Sequence, residues 1–136
     1  MRRLVSILRD ERGSPAIEFA IVVPTLLSVI YGITQLGFIF MASAGMQHAL
    51  GEGARYGALY VNGSTTKAHT EAEVIAKVQD KTFGMGSVTP SVTITASGTG
   101  YMKVQITYTK TLTFLRMQGP SVTLTRSKMV YTPIVT

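Results

Sequence analysis

The sequence predicts an α+β chain: a long N-terminal helix that spans a membrane, a second short helix, and a small antiparallel β-sheet of about three strands. Three observations carry that expectation. Residues 19–51 contain no Asp, Glu, Lys or Arg. Thr70 and Glu73 stand at capping-box spacing ahead of an apolar stripe. Beyond Val88, apolar residues alternate with threonines in two-residue steps.

The long helix comes first. Its apolar window, residues 19–44, holds 13 Ile, Leu, Val or Phe in 26 positions. Each favours insertion by roughly 0.3–0.6 kcal/mol, about 4–8 kcal/mol together. Twenty-six helical residues reach about 39 Å, more than the ~30 Å of hydrocarbon in a bilayer. Ser14 is a good N-cap and Pro15 suits the first helical position. Pro24 removes one backbone donor inside the helix, which predicts a kink or a loosened turn there. The helix is expected to run over 14–61. In its outer part Gly45, Ala49, Gly53 and Gly57 recur every four residues on one face. Small residues at that spacing let another backbone approach closely. Asn62-Gly63-Ser64 signals a turn.

Ahead of the helix, residues 1–13 carry Arg2, Arg3, Arg9 and Arg12 against Asp10 and Glu11. The first basic residues after the helix are Arg55 and Lys67. That asymmetry keeps the leader in the cytoplasm and places everything beyond about residue 45 on the other side. Ala42-Ser43-Ala44 reads as a signal-peptidase site, but the apolar stretch before it is far longer than the usual ~7–15 residues. The alternative is a plain single-span anchor displaying a small β-domain for protein–protein binding.

A second helix fits 70–82, with Val74, Ile75 and Val78 as its apolar stripe and Gly84-Met85-Gly86 as its breaker. Val92, Ile94 and Ala96 form the inward face of a first strand, and 97–100 is a turn. Met102, Val104, Ile106, Tyr108, Lys110, Leu112 and Phe114 share one face of a second strand. Gln118-Gly119-Pro120 reads as the next turn, before a third strand ending at Tyr131. The sheet's apolar face needs cover, which the second helix and the outer half of the first supply. Residues 62–136 thus form an extracytoplasmic α+β region.

Composition sets limits on chemistry. The net charge is +6, with the basic residues scattered, so they read as a solvated surface and not a nucleic-acid site. Cysteine is absent. His48 and His69 are too far apart in sequence, without cysteine, to suggest a metal site. Glu71 and Glu73 read as acidic bias at a helix start. Gly51-Glu52-Gly53 has no strand before it and is no phosphate loop. Tyr31, Tyr56 and Tyr60 read as membrane-interface anchors or packing residues. No enzyme, cofactor, metal or small-molecule substrate is expected.

The stretch Gly13-Ser14-Pro15-Ala16-Ile17-Glu18-Phe19 resembles the processing site of prepilins: glycine, four residues, glutamate, an aromatic, then an apolar helix. Its extension to Pro24, and the later Gly53-Ala54-Arg55-Tyr56-Gly57, resemble the TadE-like family of the bacterial tight-adherence (Tad) pilus system. The resemblance covers residues 12–58 and implies a pilin-like fold. It implies a minor pilin or pseudopilin that an inner-membrane aspartyl prepilin peptidase cuts between Gly13 and Ser14. Phe19 stands where small pilins of the system often have tyrosine, which favours the minor-subunit branch. The resemblance further implies that the new Ser14 amine and Glu18 set register between subunits, and that the chain moves from membrane lipid, through the Tad assembly platform, into a surface fibre serving adhesion or secretion. The residue types suit the cut: Gly13 is unhindered, and Pro15 disfavours helix at Ser14.

Overall fold

The computed structural model describes residues 14–61, 63–64, 67–114 and 117–133. Five elements follow in order: α1 (Ser14–Gly57), α2 (Glu71–Asp80), β1 (Ser91–Gly98), β2 (Tyr101–Phe114) and β3 (Met117–Tyr131). The chain divides into two units, Met1–Gln35 and Leu36–Thr136, and α1 contributes to both.

In the first unit the described side chains of α1 are mostly exposed. Ile17, Phe19, Ile21, Val22, Leu26, Leu27, Val29, Ile30 and Ile33 are each more than half exposed. They occupy every side of the helix, so there is no polar face to turn to water. This is the one helix among the described residues long and apolar enough to cross a membrane. The hydroxyls inside it are accounted for. Thr25 Oγ1 donates to Ile21 O at 2.9 Å, Ser28 Oγ to Pro24 O at 2.7 Å, and Thr34 Oγ1 to Ile30 O at 2.9 Å. A hydroxyl that bonds back to its own helix needs no water, as hydrocarbon requires. Helical structure is unbroken through Pro24.

The second unit is an antiparallel sheet in the order β1-β2-β3, packed against α2 and the outer part of α1. Its core takes Ala42, Met46, Ala49 and Leu50 from α1, Val74 and Val78 from α2, and Met102, Val104, Ile106 and Tyr108 from β2. Met85, Val92 and Val130 complete it. The steps 42, 46, 49 on α1 and 74, 78 on α2 are helical, and those on β2 alternate, so each element turns one apolar face inward. Tyr108 is buried, and its hydroxyl donates to Met85 O at 3.2 Å. Burial pushes its pKa upward.

α2 begins where the capping signal puts it. Glu73 N–H donates to Thr70 Oγ1 at 3.3 Å, and Thr70 N–H donates to Glu73 Oε2 at 2.7 Å. Two otherwise orphaned donors are satisfied reciprocally. The helix closes at Asp80, short of the anticipated 82, and Gly84 and Gly86 take left-handed φ values in the connection to β1.

Four details differ from the sequence reading. α1 ends at Gly57 and not at 61; Tyr60 instead bridges to Ala68. β1 carries a bulge at Thr95, because Ile94 pairs Val104 while Ala96 pairs Lys103. The Ser97–Gly100 turn narrows to Thr99-Gly100, with Gly100 at φ +81 and Ser97 and Gly98 still paired. Finally, Gln118-Gly119-Pro120 is no turn. Gln118 pairs Thr113, Met117 pairs Phe114, and Gly119 and Pro120 together face Leu112 as a bulge inside β3. β3 is an edge strand, and a bulge on an edge strand is where a sheet tolerates proline.

Candidate functional site

The residues singled out from sequence lie along α1. Gly13 and the leader fall outside the described residues. Ser14 is the first residue of α1. Glu18 follows one turn later, exposed between Ile17 at 63% and Phe19 at 69% exposure. A carboxylate flanked this closely by apolar side chains starts a span with no further charge until Glu52. Pro24 lies six residues beyond it.

The small-residue stripe lies in the second unit, and the chain's own elements fill it. A Cβ at Gly45 would run into the Phe83 carbonyl; one at Gly53 would strike the Val78 side chain. At Gly57 it would meet Val130 and Val74. Ala49 is fully buried. The stripe therefore seats α2, the connection after it and β3 against α1. Gly51, off the stripe, has nothing nearer than Lys128 Nζ at 4.0 Å.

A polar group forms at the junction of α1 and α2 that the sequence did not disclose. The Tyr56 ring stacks on His69 with centroids 3.8 Å apart, and Lys77 Nζ lies 5.6 Å from the Tyr56 centroid. His69 Nδ1 sits 3.6 Å from Glu73 Oε2. The Glu73 pKa is lowered, first by the Thr70 N–H bond, then by the Thr70 hydroxyl, with His69 adding less. His48, by contrast, tilts against Phe83 at 5.6 Å. The two histidines thus have separate packing roles. Tyr60 is 43% exposed beside its bridge.

Residues 13–55 match the model of the TadE-like protein family. The matched segment runs from the glycine of the expected cut to the arginine of the outer glycine stripe, and it is the stretch on which the resemblance was drawn. The match covers about a third of the chain, its N-terminal segment, and the rest of the chain lies outside it. No curated protein matches the chain, and no solved structure does.

Proposed function

We propose that this protein is a minor pilin or pseudopilin of a Tad-type pilus. A prepilin peptidase matures it after Gly13, and it then enters or primes the fibre. The observation that carries this is the family match over 13–55, on a helix that is bare and apolar to Gln35 and then continues into a small α+β unit. Such a chain has two stable settings for its helix. One is lipid, with the leader in the cytoplasm; the other is a bundle of sister helices.

Cleavage links the two. It removes four arginines that hold the leader at the cytoplasmic face and exposes a positive amine on Ser14. When helices bundle, Glu18 leaves water, and an uncompensated buried carboxylate costs several kcal/mol. The Ser14 amine of a neighbouring subunit neutralises it and fixes axial register. Partners are thus the peptidase, other pilin subunits and the inner-membrane assembly platform. The role is structural, and the chain supplies no catalytic group to its own cleavage.

N-terminal sequencing of the mature protein tests the reading. Ser14 as first residue supports it, Met1 points to the plain anchor, and Gly45 to a secreted domain. Gly13→Leu should leave full-length precursor on a gel; an unchanged mature band would refute the cut.

A further inference from the structure

Two cations on the sheet lean onto α1 where it leaves the apolar span. Lys110 Nζ lies 5.0 Å from the centroid of the Phe38 ring. Arg126 Nη2 donates to Ser43 Oγ at 3.2 Å. Neither has a carboxylate partner among the described residues, whereas Lys81 and Arg55 have Asp80 and Glu52 at 2.9 Å and 3.4 Å. The sheet descends α1 in order: Val130 lies against Gly57, Lys128 near Gly51, Arg126 at Ser43, and Lys110 at Phe38. Counted from Phe19, twenty helical residues cover about 30 Å and end at Phe38. The next five, to Ser43, rise about 7.5 Å and fall within the headgroup layer. Phe38 and Phe40 are 47% and 72% exposed there.

We infer that Lys110 and Arg126 form a cationic foot that rests the sheet on anionic phospholipid headgroups of the non-cytoplasmic leaflet before assembly. The inference rests on the membrane-spanning reading of α1. Opposite charge selects the occupant: two cations without a carboxylate partner among the described residues, held on α1 at headgroup depth, match lipid phosphates. Phe38 and Ser43 hold them in place from the helix side. The foot adds a second attachment beside the helix, which extraction into a fibre has to break.

The test uses the full chain in nanodiscs. Native cysteine is absent, so single probes can be placed by Thr111→Cys beside the foot, Ala72→Cys on α2 and Ile30→Cys in the span. In bilayers with about a third phosphatidylglycerol, headgroup-spin-labelled lipid should quench the Thr111 probe well above the Ala72 probe. Neutral phosphatidylcholine bilayers, or about 0.5 M salt, should remove most of the difference. Lys110→Gln and Arg126→Gln should each shift the contact equilibrium about fivefold. Equal quenching at 111 and 72, or quenching at 111 indifferent to lipid charge and salt, overturns the foot. The lipid and salt arms keep Lys110 and Arg126 intact, so a misfolded variant cannot mimic that result. An Ile30 probe untouched by acyl-chain-labelled lipid would instead defeat the spanning reading itself.

Discussion

At the scale of single residues, the glycines of α1 separate into two kinds. Gly45 and Gly53 lack a Cβ because another element occupies that space, while Gly51 faces open room. The periodicity of four exposed the stripe in the sequence. It could not say whether the occupant would be a sister helix or the chain's own sheet and second helix, since that depends on contacts far along the chain. A paired measurement separates the kinds. Gly45→Ala should destabilise the second unit by about 1–3 kcal/mol through overpacking against the rigid Phe83 backbone. Gly51→Ala should be neutral or stabilise by up to ~1 kcal/mol, because alanine favours helix. Denaturant unfolding in detergent, followed by circular dichroism, reads both; equal effects would contradict the geometry. Lys110 and Arg126 were illegible for the same reason. Arg126 meets Ser43 across 83 residues, and no local pattern announces it.

At the scale of elements, local chemistry was legible where local groups decide and misleading where pairing decides. The box of Thr70 and Glu73 closes within three residues, so spacing alone located the start of α2. Gly119-Pro120 carries strong turn chemistry, yet Phe114 pairs Met117 and the ladder resumes beyond. There the hairpin's register outweighs the preference of two residues. The bulge at Thr95 had no signal, since alternation through 92, 94 and 96 looked regular. The cap also makes a prediction about pH. Glu73 has a lowered folded pKa, so its contribution is complete above the ordinary glutamate value, about 4.3, and is lost as pH falls through the folded value. Thermal melts should show stability falling on acidification through that window. Glu73→Gln keeps an acceptor for Thr70 N–H but cannot titrate, and should flatten that part of the curve. An unaltered acid limb would exclude Glu73 as its source.

For the whole molecule, the two units differ in how they are packed. No described residue of the first is buried, whereas the second closes its own core from α1, α2 and the sheet. Glu18→Gln should leave maturation largely intact but block incorporation into pili, because the amine of the adjoining subunit loses its counter-charge. Sheared surface fractions, probed by immunoblot beside membrane fractions, would show mature protein retained in the membrane. Fibres of normal yield from that variant would refute the register role.

Both outer strands of the sheet are interrupted, β1 at Thr95 and β3 at Gly119-Pro120. Copies crowded in a membrane patch or a fibre would otherwise offer one another straight, open margins for strand addition. With a bulge in each margin, side-by-side zippering into amyloid-like stacks is discouraged. In the proposed fibre, polymerisation would thereby be steered toward the greasy rods and away from the sheets.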